Sequence, residues 1–130
     1  MKTQLIALPV WADHICPVLD FARSILVVDM ADSKERSREA FRCSPSPPIW
    51  LANRMGKLGV ELVKCGALSR EYFGSLRAKE IKVIPYIQGN VNEILNAYWA
   101  GILSHPRFLL PGMPSTWRGH NGYRKGWIGT

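Results

Sequence analysis

Short runs of apolar residues alternate with turn-forming residues along this chain, and the period of each run predicts its element. Gln4–Leu8 is largely apolar and is followed by Pro9, which predicts a buried strand ending there, because proline cannot donate to a central ladder. Residues 9–21 form a long loop with two prolines and many large side chains, a kind of segment that in compact domains is usually functional. Ser24–Met30, with Ile-Leu-Val-Val, predicts a second buried strand, and Ala31–Lys34 a turn. Glu35–Phe41 is charged and predicts an exposed edge strand paired with the second, its charges discouraging association between edges.

Helical spacing begins after the Ser/Pro connector Cys43–Pro48. Ser46-Pro47-Pro48 predicts a helix start, Leu51, Met55 and Leu58 recur as one apolar face, and Gly59 is a stop. Val60–Cys65 predicts a fourth strand and Gly66-Ala67-Leu68 a turn. Ser69 then caps a helix to about Lys79, with Tyr72, Phe73 and Leu76 inward. Ile81–Tyr86 predicts a fifth strand, and Gln88-Gly89 a turn. Asn90 caps a last helix, with Glu93 in capping-box position and Val91, Ile94, Leu95, Tyr98 and Ile102 on its apolar face.

Right-handed crossovers make the first, fourth and fifth strands parallel. The economical arrangement is an α/β fold, a five-stranded mixed sheet of order 3-2-1-4-5 with helices on both faces, which is ribonuclease-H-like. The expected organisation is a folded domain over 1–103 and a tail over 104–130, broken by Pro106, Pro111 and Pro114 and loosened by Gly119, Gly122, Gly126 and Gly129.

Composition narrows the setting. A chain of 130 residues is one domain by size, and 47% apolar with 21% charged residues is ordinary for a globular protein. No apolar run approaches the ~18 residues of a membrane helix. Met1–Val10 lacks the pattern of a signal peptide, so the expected compartment is the cytoplasm and no membrane partner is expected. Three cysteines, Cys16, Cys43 and Cys65, with no C-x-x-C pair, argue against a disulfide framework and a closed zinc site. The net charge is +7, and residues 94–130 hold Arg107, Arg118, Arg124 and Lys125 with no acid. Such a balance favours anionic partners.

Ligands in open α/β sheets bind beyond the carboxyl ends of the parallel strands. Here that edge collects loops 9–21, 65–69 and 86–90 and the helix starts at Ser69 and Asn90, whose unpaired N–H groups favour an anion. Arg70 in a first turn would serve a negative ligand. Cys16 and Cys65 both fall on this edge as candidate metal ligands, and His14 offers a nitrogen. Cys65 reads equally as a small buried hydrophobe, and His14 as a solvated loop histidine.

The same residues carry a resemblance. Pro9-Val10, Cys16-Pro17-Val18-Leu19-Asp20-Phe21-Ala22 and a following Val-Val-Asp strand resemble the opening of the dinitrogenase iron-molybdenum cofactor biosynthesis family, the NifB/NifX-type cluster-binding domain. Cys65-Gly66-Ala67-Leu68-Ser69 resembles that family's loop after the fourth strand. Gly89–Glu93, Ala97-Tyr98 and Phe108–Gly112 resemble its final segments, so the resemblance spans residues 4–112. It implies a ribonuclease-H-like fold that carries or receives iron–sulfur or molybdenum–iron–sulfur clusters. It implies no cluster synthesis, because the synthases' radical domain and its cysteine triplet are missing. On this resemblance the cofactor-binding set is Cys16, Cys65, His14, Gly66, Ser69, Arg70, Gly89 and Asn90, with Cys16 and Cys65 as metal ligands and an assembly or recipient protein as partner. Two departures stand out: Met113-Pro114 replaces the cysteines and arginines that often follow Pro-Gly, and position 16 often carries serine in the family.

No phosphate loop, dinucleotide fingerprint or nucleophile–base motif is present, so no enzyme is expected. The competing function is nucleic-acid or protein binding by the tail, where Trp117, Arg118, Tyr123, Arg124, Lys125 and Trp127 interleave aromatic and basic groups. A ribonuclease-H-type nuclease would need clustered carboxylates, and the first strand has none.

Overall fold

Alternation along one central strand divides the core in two. Ile6 and Leu8 face one side of the sheet and Ala7 the other. The computed structural model describes residues 3–32, 34–43 and 47–100. Among these, the chain runs β1 (Thr3–Trp11), β2 (His14–Ile15), β3 (Ser24–Ala31), β4 (Lys34–Arg42), α1 (Pro48–Leu58), β5 (Leu62–Lys64), α2 (Arg70–Ala78), β6 (Lys82–Ile84) and α3 (Val91–Ala100). The result is a mixed α/β fold with a six-stranded sheet of order β4-β3-β1-β5-β6, and β2 pairs with β1 off that path. β4, β3 and β1 are antiparallel neighbours, whereas β1, β5 and β6 are parallel. Val28, Met30, Leu62 and Ile84 meet Val91, Ile94 and Leu95 of α3 on one face. Ile25, Val63 and Val83 meet Leu51 and Met55 of α1 and Tyr72, Phe73 and Leu76 of α2 on the other.

The helix boundaries follow from local chemistry. Pro48 sits in the first turn of α1, and Gly59, at φ 86, ends it with its N–H on the Gly56 and Met55 carbonyls. Ser69 accepts from the Tyr72 N–H at the start of α2. Asn90 Oδ1 accepts from the N–H groups of Asn92 (2.8 Å) and Glu93 (3.3 Å) at the start of α3. β4 is an exposed edge strand, charged as expected.

Three expectations change. The sheet has a sixth strand, because the segment expected as a loop from residue 9 begins with a hairpin between β1 and β2. β1 runs through Pro9, which pairs with Ile25 of β3. Leu5 and Pro9 turn their carbonyls away from β3, towards Glu61 N and Cys16 N, so the missing Pro9 donor lies on that same side. Pairing with β5 is registered only at Ile6 and Ala7, so no β5 partner waits for that donor. Leu58, expected on the buried face of α1, is 44% exposed, and that face consists of Leu51, Ala52 and Met55. Ile102 and the expected boundary at residues 103 and 104 lie outside the described residues.

One core position breaks the apolar rule. Lys64 follows Leu62 and Val63 in β5 and is fully buried. Its Nζ has no hydrogen-bond partner among the described residues and lies 3.2 Å from the Tyr98 ring centroid. Burial pulls the ammonium down from its ordinary 10.5 to about 6. The Tyr98 ring offsets part of that penalty, since a cation over an aromatic face gains about 0.5–2 kcal/mol. Between pH 6 and 10.5 the unfolded chain holds a proton that the folded one lacks. Stability therefore rises with pH across that window, and the full cost of the lowered value is present below it. Lys64→Met keeps the stem and removes the amine. It is expected to raise stability at pH 7 by about 1–3 kcal/mol and to flatten the pH dependence. Denaturant titrations at several pH values check this, and equal pH slopes for the two proteins would refute it.

Candidate functional site

The chain leaves β1 through a tight turn at Ala12 and Asp13, with Ala12 at φ 58. It comes straight back as β2, pairing Trp11 with His14 and Val10 with Ile15. It then crosses the start of the β5–α2 connection. Ala67 N donates to Pro17 O and Leu19 N to Ala67 O, both at 2.8 Å. Glycine is required at this crossing, because a Cβ on Gly66 would lie 2.3 Å from Pro17 O and 2.9 Å from Cys16 O. Beyond it a single 3-10 turn, Leu19–Phe21, sends the Asp20 carboxylate to Ser69 N at 2.9 Å.

A second set of bonds ties the hairpin to the β6–α3 connection. Ile15 N donates to Gly89 O at 3.0 Å, and Val91 N donates to Asp13 O at 2.9 Å. His14 and Asn90 form an antiparallel bridge. Gly89, at φ 125, holds a conformation that side-chain-bearing residues rarely adopt.

Between these segments opens a cleft of about 560 Å³. Trp11, Ala12, His14, Ile15 and Pro17 line one side, and Ile87, Gln88 and Gly89 the other. Trp11 stands 75% exposed at this edge. Most of the lining is apolar, and His14 is its ionisable side chain. His14 Nδ1 lies 2.8 Å from Asp13 Oδ1.

The structure brings His14 and Gly89 to this cleft, with Asn90 bridged to His14 behind it. The remaining expected site residues are placed elsewhere or are already engaged. Cys65 is fully buried in the core under α1 and α2, where burial, with the Asp20 charge adding, pushes its thiol up. It is therefore a protonated, apolar side chain at neutral pH. Cys16 is half-buried, packs against the same core, and donates its Sγ–H to Val18 O at 3.4 Å. Cys43 is buried and donates to Ala22 O, and desolvation raises its thiol as well. Gly66 is buried at the crossing, and Ser69 is occupied as a cap. Arg70 is exposed and lines a different groove, between α1 and α2.

The helix starts are engaged from within, α3 more fully than α2. Asp20 already accepts from Ser69 N, and Asn90 and Asp13 accept from the first turn of α3. Sequence reasoning missed Trp11, Ile87 and Gln88 as lining and Asp13 and Asp20 as the acceptors. A carboxylate within reach of a helix start was the available signal for Asp20. Among the described residues, no three His, Cys, Asp or Glu side chains gather as a metal-ion site. No helix among them is long and apolar enough to cross a membrane.

Gly66→Ala is expected to lower stability by about 1–3 kcal/mol, because backbone rather than a yielding side chain meets the new methyl. A urea unfolding midpoint measures this, and an unchanged midpoint would refute the close approach.

No family model matches the chain, and no curated protein matches it. Solved structures do. A dinitrogenase candidate from Methanocaldococcus jannaschii shares 17% identity at a TM-score of 0.64, covering 78% of this chain and 93% of that one. A NifB candidate from Thermotoga, assigned to the DUF35 family, shares 18% at 0.60, covering 88% and 97%. The apo form of the orange protein from Desulfovibrio gigas shares 22% at 0.64, covering 85% and 95%. At these identities the likeness is one of fold, and it extends over nearly the whole length of each of the three structures.

Proposed function

We propose that this protein is a non-enzymatic carrier of a preassembled metal–sulfur cluster, iron–sulfur or molybdenum–iron–sulfur, held in the cleft beside the β1–β2 hairpin. The observation that carries this reading is the cleft itself, an open apolar cavity of about 560 Å³ at the carboxyl edge of the sheet. Its donor set decides what fits. A free metal ion finds no cage among the described residues. A cluster that brings its own sulfur ligands needs only enclosure and an attachment point.

Two further facts support the reading. The mixed α/β sheet with its three helices is compatible with the ribonuclease-H-like fold that the family resemblance implies. Solved structures of similar fold are named as a NifB candidate and a dinitrogenase candidate. All three cysteines are free, which suits the reducing cytoplasm where such clusters persist. The partner on this reading is an assembly or recipient protein that meets the exposed edge around Trp11. The alternative, nucleic-acid or protein binding by the basic aromatic tail, rests on residues 104–130, which lie outside the described residues.

Anaerobic assembly with iron, sulfide and thiomolybdate, followed by gel filtration, metal analysis and absorption spectra, tests the proposal. The wild type, Cys16→Ser and Cys65→Ala are expected to retain metal and colour in equal measure. A colourless wild type without metal, under conditions that load a known carrier, would sink the proposal. Loss of loading in Cys16→Ser alone would move the attachment point from the cleft to that thiol.

A further inference from the structure

We infer that the groove between α1 and α2 docks an acidic amphipathic helix of a partner protein, on a surface separate from the cleft and independent of any cargo. The groove has a volume of about 690 Å³ and a mostly apolar wall. Pro48 and Ile49 line it from α1, and Gly74 and Ala78 from α2. Ile49 is 65% exposed, so an apolar side chain faces solvent at this wall. Gly74 sits in the middle of α2, and a Cβ there would meet nothing within 4 Å. Glycine weakens a helix interior relative to alanine, and no close packing among the described residues calls for it here. What it leaves is an open seat over the backbone of α2.

Charge decides the occupant. Arg70 begins α2 and Lys79 is its C-cap, about 13 Å apart along the axis, and both line the groove. The Lys79 stem lies against α1, with Cδ 3.8 Å from where a Cβ on Gly56 would sit, so the ammonium is held at one end. Arg70 stands in a first turn, where the helix dipole disfavours a cation. Neither is held in an ion pair among the described residues. Ile49, Gly74 and Arg70 thus each break a local rule on one groove, which is the mark of a functional surface. An occupant with carboxylates at both ends and apolar side chains over Gly74 satisfies all three. Glu71, between Arg70 and Gly74, repels an acid placed midway. A helix fits a trough between two helices, and glycine lets it approach closely. The basic end of this chain does not fit, because residues 94–130 carry no acid. A nucleic acid, with a charge about every 1.7 Å, needs a longer track of cations than two.

Fluorescence anisotropy of labelled peptides with the full, cluster-free chain tests the docking, at about 50 mM salt so that surface charges act. The probe is a helix-forming peptide of about 15 residues, with leucine and alanine on one face and glutamate near both ends of that face. Its counterpart carries lysine in place of glutamate. The acidic peptide is expected to bind at least about tenfold more tightly than the counterpart. Arg70→Glu and Lys79→Glu are each expected to weaken it roughly 3- to 10-fold, and Arg77→Glu, which does not line the groove, by less than about twofold. Gly74→Leu is expected to keep the melting temperature of the wild type, since its Cβ has open space, and to lose binding. No binding of the acidic peptide, equal binding of the two peptides, or unchanged binding by Gly74→Leu would overturn the inference. A single-stranded oligothymidylate that bound more tightly than the acidic peptide and was lost in Gly74→Leu would overturn it in favour of nucleic acid.

Discussion

The passage of Cys16–Val18 across Gly66 is the constraint on which the rest of this edge depends. Backbone meets backbone there, with the Ala67 N–H on Pro17 O and the Leu19 N–H on Ala67 O. A side chain at Gly66 would prevent the approach. Because the crossing is fixed, the residues on either side of it have fixed destinations. Upstream, Ile15 is drawn onto Gly89 and β2 onto β1. Downstream, Asp20 reaches the start of α2. The cleft is the space left between the hairpin and the β6–α3 connection once both have been tied down.

That tying uses up the charge complementarity that the edge otherwise offers. A carboxylate at a helix N-terminus gains about 0.3–1 kcal/mol from the helix dipole, and more in a partly buried setting. Asp20 takes that gain at α2, where Ser69 N is its donor. At α3 the Asn90 side chain and the Asp13 carbonyl accept from the first-turn N–H groups. An external anion would have to displace these acceptors at α3 and would meet the Asp20 carboxylate at α2. What the edge leaves open is the mostly apolar cleft beside the β1–β2 hairpin rather than a free pair of helix starts.

Much of the framework was legible because its causes are local. Ser69, Asn90 and Gly59 announce their helix ends by chemistry that needs no tertiary contact. The apolar runs of β3 and the charges of β4 likewise predict one hairpin. What could not be read depends on the neighbours. Pro9 is tolerated in a central strand because its carbonyl, and with it the missing donor, faces the returning β2 rather than β3. The hairpin turn is Ala-Asp, without the Asn-Gly or Asp-Gly signal, and Ala12 takes a positive φ that its sequence does not advertise. Cys16 and Cys65 were expected on one edge as candidate ligands. Whether a thiol there faces a guest or the core is decided by the loop above it, and the loop turns both towards the core under α1 and α2.

The difference between a chelating cage and an apolar enclosure has a kinetic meaning. A closed set of protein ligands binds metal as part of folding and releases it slowly. The described residues gather no such set, and the cleft is walled by side chains such as Ile15 and Ile87. On the carrier reading proposed above, such a wall would enclose the cargo without directional bonds to break at hand-over, and affinity differences among related sites reside mostly in the rate of departure. The hairpin on one side of the cleft is tied to the first turn of α3, because the Asp13 carbonyl accepts from Val91 N. On the same reading, a recipient that moved the start of α3 would shift one wall of the cleft, which would couple docking to release.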